Sequence, residues 1–265
     1  MIIRANGIQM NYELSGKKKA PMVMLSHSLG CSLAMWDLQL GTLEPHFQVL
    51  RYDTRDHGKS EASPGAYTLE LLTEDAIGLM DALGLGKVHW VGLSMGGMIG
   101  QGIALYHPNR INSLALCDTT GKIPPEAQPL WQERLDAVRE KGVESQVEVT
   151  MERWFTPSFL NSNPPMLGLI RKQFLATPKE GYMGCIEAIR KLNTLDRLSG
   201  IKVPTLIMVG EDDPGTPVSA SEAIHKKISN STLVILPSAR HLSNVEQPEA
   251  FNTNLLTFLK RKLCE

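Results

Sequence analysis

Apolar runs rich in β-branched residues recur at residues 8–14, 22–26, 47–52, 88–93, 111–117, 203–209 and 232–236, each bounded by Gly, Pro or polar residues. Runs of this length and composition predict strands. The later ones are nearly continuous instead of alternating, the pattern of a parallel sheet buried on both faces. Helical spacing of apolar residues at 33–43, 69–83, 98–106, 218–228 and 248–263 supplies the crossovers. The expected class is α/β, a mostly parallel central sheet flanked by helices.

The strand signal stops between residues 119 and 198, where about eighty residues of helical pattern are broken by Pro124-Pro125, Pro157, Pro164-Pro165 and Pro178. This segment reads as a helical cap inserted into a core made of residues 1–118 and 199–265. Its place between two core strands sets it over the carboxyl edge of the sheet, where open parallel sheets bind ligands. A chain of 265 residues is accounted for more simply by one core with an insertion than by two independent domains.

A formal charge of -1 gives no long-range field to gather nucleic acid or an anionic membrane, and the basic triplet Lys17-Lys18-Lys19 reads as a solvated turn. The opening Met1-Ile2-Ile3-Arg4-Ala5-Asn6-Gly7 turns polar too early for an export signal. No stretch approaches the roughly 20 apolar residues of a membrane helix, so the expected location is cytoplasmic. Cys31, Cys117, Cys185 and Cys264 have neither C-x-x-C spacing nor the density of a disulfide framework, and read as reduced thiols. Cys117, at the end of an apolar run, is expected to pack. Nothing in the sequence specifies an oligomeric state.

The chemistry concentrates where the strand at 88–93 runs into Gly92-Leu93-Ser94-Met95-Gly96-Gly97 and then into a helix. Strand, G-x-S-x-G and helix together describe a turn tight enough to need small flanking residues, which leaves a serine hydroxyl exposed at a helix N-terminus. Ser94 is the candidate nucleophile. A hydroxyl needs a base to take its proton, and in the order serine, acid, histidine the base is best met by His241, after the strand at 232–236 and before the last helix. His46, His89, His107 and His225 fall away from this edge. The acid is expected after the strand at 203–209, where Asp212 and Asp213 stand together; Asp213 is the choice, with Asp212 a loop cap and Asp118, which also ends a strand, a competitor. The oxyanion would be met by the backbone N–H groups of Met95 and Leu29. In the loop His27-Ser28-Leu29-Gly30, His27 is expected to shape the loop.

With these residues placed, the chain resembles the α/β-hydrolase superfamily and, within it, the 3-oxoadipate enol-lactonases of bacterial aromatic catabolism. The resemblance spans almost the whole chain. It includes Met35-Trp36-Asp37, Leu50-Arg51-Tyr52-Asp53-Thr54-Arg55, Gly92 to Met98, Arg153-Trp154-Phe155-Thr156-Pro157 and His241-Leu242-Ser243-Asn244-Val245-Glu246-Gln247-Pro248. The resemblance places nucleophile, acid and base on Ser94, Asp213 and His241. It implies opening of 3-oxoadipate enol-lactone to 3-oxoadipate through an acyl-enzyme, with no metal or other cofactor and only a small-molecule lactone or ester as partner. Two positions depart from the family pattern: His27 stands where asparagine is associated with the family, with a potential effect on substrate preference, and Arg55-Asp56-His57-Gly58 replaces Arg-Gly-His-Gly.

The lactone carries a free carboxylate, which requires a cation in a partly dry pocket. Of the cap arginines Arg134, Arg139, Arg153, Arg171 and Arg190, Arg134 is favoured because it follows Trp131 by three residues and shares its helix face. An Arg134 that only stacks on Trp131 is the plain alternative. A broad carboxylesterase or cofactor-free perhydrolase would use the same triad, and a receptor-like binding protein would keep the pocket without turnover.

Overall fold

The computed structural model describes residues 1–63 and 65–261. Its first strand, β1 (Ile2–Ala5), is absent from the sequence expectation. It pairs antiparallel with β2 (Ile8–Gly16), Ala5 opposite Ile8. Asn6 and Gly7 between them have φ of 44° and 83°, the two positive angles that a two-residue type I′ hairpin demands and that Asn-Gly supplies readily. The signal was therefore present in the sequence, masked by a strand of only four residues.

From there the chain alternates. β3 (Met22–Ser26) leads through a 3₁₀ turn (Leu33–Trp36) into α1 (Asp37–Leu43) and β4 (Gln48–Tyr52). Then follow α2 (Leu69–Ala82), β5 (Val88–Leu93), α3 (Met95–Tyr106) and β6 (Ile111–Cys117). α3 begins three residues before the apolar periodicity does, because Gly96 and Gly97 carry no side chain to announce it. Between β6 and the next strand come α4 (Gln128–Lys141), α5 (Val147–Trp154), α6 (Pro157–Ser162), α7 (Pro165–Ala176) and α8 (Lys179–Arg190). Pro157 and Pro165 sit at the starts of α6 and α7, where a missing N–H costs nothing. The chain closes with β7 (Thr205–Gly210), α9 (Val218–Lys227), β8 (Ser231–Leu236), α10 (Ser243–Glu246) and α11 (Pro248–Arg261); residues 262 and 263, where the helical pattern continues, lie outside the described residues.

Among the described residues, eight strands form one sheet in the order β1-β2-β4-β3-β5-β6-β7-β8. Pairings involving β2 are antiparallel and the rest parallel. α1 and α11 cover one face, while α2, α3 and α9 cover the other. β5 and β7 are buried at every residue, which is why their sequences run apolar without alternation. β8 has an equally apolar sequence but lies at the edge and is half exposed, so composition alone does not separate a central strand from an edge. The α/β expectation is borne out.

β3 and β5 are spatial neighbours although β4 lies between them in sequence, so the chain reverses direction across the sheet at this point. Ligands of open α/β sheets bind at the carboxyl ends beside such a reversal. Cys31, Cys117 and Cys185 are buried and free, and burial pushes the Cys117 thiol well above its ordinary range; Cys264 lies outside the described residues. No helix among the described residues is long and apolar enough to cross a membrane.

Candidate active site

Ser94 occupies the junction of β5 and α3 with φ 54° and ψ -112°, a conformation costing a non-glycine residue on the order of 1–3 kcal/mol. Its surroundings hold it there. The Ser94 N–H donates to the Cys117 carbonyl at 2.8 Å, and the Thr119 hydroxyl donates to the Ser94 carbonyl at 2.8 Å. A Cβ on Gly92 would run into the Gly96 carbonyl, and one on Gly96 into the carbonyl of Ser26 on the neighbouring β3. The glycines thus permit the close approach that turns the serine outward.

Met95 opens α3, so its N–H has no partner within the helix. Ser28 and Leu29, just beyond β3, line one cavity with Ser94. His27 is fully buried and does not line that cavity; its ring is hydrogen-bonded to the backbone of Ser28 and Thr54.

At the same cavity, His241 Nδ1 donates to Asp213 Oδ2 at 2.8 Å. The carboxylate is itself held by the Thr216 hydroxyl at 2.6 Å and by the N–H groups of Gly215 and Thr216 at 2.7 and 3.1 Å. Burial works to raise the Asp213 carboxyl, but the His241 charge and the hydrogen bonds from His241 and Thr216 outweigh it and hold it below the usual carboxylate range. Asp212 is exposed. Asp118 is buried but spoken for: Oδ1 accepts the Gly210 N–H at 2.8 Å and Oδ2 the Ser243 hydroxyl at 2.5 Å. It ties β6 to β7 and α10 and makes no hydrogen bond to His241.

Among the described residues the hydrogen bonds of His241 go to Asp213 and Thr216. His241 and Ser94 both line one cavity. Of the remaining histidines, His89, His107 and His225 bond Ser113, Glu74 and Ser231, and His46 is not among the cavity-lining residues.

The cavity has a volume of about 500 Å³ and is lined by segments that follow β3, β5, β6, β7 and β8, by α9, and by residues of α4, α5 and α8. Trp131 and Arg134 both line it, with the guanidinium 4.6 Å from the indole centroid. Stacking and cavity lining, alternatives in the sequence, coexist here. Arg139, Arg171 and Arg190 are instead paired with Asp136, Glu148 and Glu187. Two further cations reach the cavity, Lys122 and Arg153, and among the described residues no Asp or Glu lines it. Sequence reasoning did not single these two out, since an eight-residue helix such as α5 leaves the direction of Arg153 undetermined.

The α/β hydrolase fold family matches residues 21–248 of the chain. The chain is 36% identical to 3-oxoadipate enol-lactonase 2 of Acinetobacter baylyi, covering 98% of itself and 96% of that protein. Its structure is similar to the crystal structure of the enol-lactonase from Burkholderia xenovorans LB400, with a TM-score of 0.94 at 38% identity, covering 98% of this chain and 100% of that one. A thermophilic esterase from Thermogutta terrifontis is also similar, with a TM-score of 0.92 at 30% identity over 99% of each chain. The fold, the strand-to-helix turn at Ser94 and these full-length similarities agree: the chain belongs to the α/β-hydrolase fold family of enzymes and, within it, to the family of the 3-oxoadipate enol-lactonases.

Proposed function

We propose that this chain is a serine hydrolase that opens a small anionic lactone, with 3-oxoadipate enol-lactone as the substrate its relatives favour. The observation that carries the reading is that Ser94 and a buried His241–Asp213 couple meet one cavity whose charged side chains, among the described residues, are the cations Lys122, Arg134 and Arg153. In the proposed reaction His241 takes the Ser94 proton as Oγ attacks the ring carbonyl. The resulting oxyanion is met by the N–H groups of Leu29 and Met95, in a site where fixed donors act with little reorganisation. Collapse breaks the ring C–O bond; the enol oxygen leaves with the proton from His241 and remains attached through the chain of the acyl group. Water, deprotonated by His241, then frees Ser94 and leaves a second carboxylate, while the enol ketonises and makes ring opening effectively irreversible.

Residues 119–198 act in this reading as a cap, with Trp131 as an aromatic wall and Arg134 as the partner of the substrate carboxylate. A soluble, cytoplasmic setting fits a substrate of this kind. Specificity is a ratio of kcat/KM values, so comparing the enol-lactone with a neutral aryl acetate tests the proposal. A preference for the lactone supports it. Equal or better turnover of the acetate favours the second reading, a broad carboxylesterase, to which the similarity with the Thermogutta terrifontis esterase lends weight.

A further inference from the structure

We propose that His27 and His57 are positioning residues that hold the oxyanion loop, fixing the peptide planes on either side of Leu29; this rests on the serine-hydrolase reading above. Ser28 to Cys31 form a turn closed by the Cys31 N–H donating to the Ser28 carbonyl at 3.1 Å. Gly30, its third residue, has φ +75°, the sign a type II turn requires. A turn does not by itself hold its central plane, since rotating that plane converts type II into type I. Here each plane is held by a histidine.

The Ser28 carbonyl lies 2.7 Å from His27 Nδ1, and the Gly30 N–H donates to His57 Nε2 at 3.0 Å. The tautomers follow from the partners. Thr54 N–H donates to His27 Nε2 at 2.9 Å, so the proton of His27 is on Nδ1 and is given to Ser28. His57 accepts at Nε2 and therefore donates from Nδ1 to the Arg55 carbonyl at 2.9 Å.

The C=O and N–H of a trans peptide point to opposite edges of one plane. Anchoring the Ser28 oxygen thus sets the direction of the Leu29 N–H, and a donor on that oxygen polarises the N–H further. The two rings lie with centroids 5.2 Å apart, are fully buried and do not line the cavity. Burial keeps both neutral, the form with one donor and one acceptor that this arrangement uses.

Asparagine and glutamine separate the two ring nitrogens. An asparagine amide stands where Nδ1 stands and a glutamine amide where Nε2 stands. His27→Asn keeps the donor to Ser28 and loses Thr54, whereas His27→Gln does the reverse. At position 57 the order is crossed, because the loop contact is made by Nε2.

The test is the rate of Ser94 labelling by a fluorophosphonate, together with kcat and KM on an aryl acetate and thermal unfolding of each variant. Expected are rates within about threefold of wild type for His27→Asn and His57→Gln. His27→Gln and His57→Asn should be slower by about tenfold or more, with the loss in kcat and not in KM, as for a weakened oxyanion donor. If both variants at one position unfold, the pair at the other position decides. Equal rates within each pair, or losses that follow unfolding temperature, overturn the proposal while leaving the serine-hydrolase reading in place. Failure to label wild-type Ser94 overturns both.

Discussion

The indole of Trp154 lies against the imidazole of His241, ring centroids 6.4 Å apart and planes inclined by 25°, and the carbonyl of the same tryptophan accepts the Leu242 N–H at 3.2 Å. Glu246 closes the joint, accepting the N–H groups of Thr156 and Arg240 at 2.8 Å each. The loop carrying the candidate base is therefore fastened to the end of α5 as well as to the sheet.

Glu246→Ala would strip both amides of their partner, at about 1–3 kcal/mol for each group left unsatisfied. The expected result is a melting temperature lower by several degrees and a reduced kcat, read by thermal unfolding and steady-state kinetics. An unchanged kcat would mean that His241 keeps its place without the joint.

Removing the proposed acyl acceptor in Ser94→Ala should leave the fold intact and less than about one per cent of kcat, and His241→Ala should behave alike. Asp213→Asn mis-sets the imidazole tautomer and should cost up to about 10⁴-fold. Asp118→Asn, at a carboxylate that bonds Gly210 and Ser243 and not His241, should act mainly on stability. A damaging Asp118→Asn beside a mild Asp213→Asn would reverse the assignment of the acid.

Arg134→Met should lower kcat/KM on the anionic lactone about thirtyfold, on the order of 2 kcal/mol, as loss of a desolvated charge partner does. A neutral aryl acetate should be hydrolysed almost unchanged. Loss on both substrates would assign Arg134 to the packing of α4. If neither changes, the same comparison on Arg153→Met tests the other arginine lining the cavity.

Acid should destabilise the protein in a defined window. Burial, with the neighbouring His27, lowers His57 to about 3, whereas the unfolded chain titrates near the ordinary value of about 6.5. Between these values the unfolded state binds a proton that the folded state does not, so stability falls as pH drops from about 6.5 toward 3. One such histidine contributes at most about 1.4 kcal/mol per pH unit, and the buried His27 and His89 are shifted in the same direction. Asp118, raised by burial and by Asp213, works the opposite way above the ordinary carboxylate range. Urea unfolding at pH 7, 6, 5 and 4 should show this slope and a shallower one in His57→Gln. A flat profile would mean that these rings are reached by water and protonate in the folded state.

The parallel strands could be read in the sequence because burial on both faces writes an unbroken apolar run, and the turn at Ser94 because a strand, G-x-S-x-G and a helix follow one another within a single short stretch of chain, although the backbone that Gly96 makes room for, at Ser26, belongs to another strand. The choice among Asp118, Asp212 and Asp213 was not settled there. It depends on which carboxylate faces His241 across β7 and the loop after β8, a relationship spanning 28 residues for Asp213. The same limit hid His57, whose contact with Gly30 crosses 27 residues, and the inward course of Arg153. Where a partner lies on another element, residue type says that a hydrogen bond is available but not with whom it is made.

The joint between Trp154, Thr156 and the His241–Glu246 segment has a consequence for engineering. The proposed cap begins and ends in the chain near residues 119 and 198, but the joint at residues 152–156 ties it to a segment that comes after β8. A graft that exchanged residues 119–198 with the insertion of another hydrolase would cut this joint through its middle and leave the carboxylate of Glu246 facing an unmatched backbone. A transplant able to change substrate without slackening the hold on His241, the proposed base, would have to carry residues 240–246 with it, as two separate pieces of chain that behave as one part.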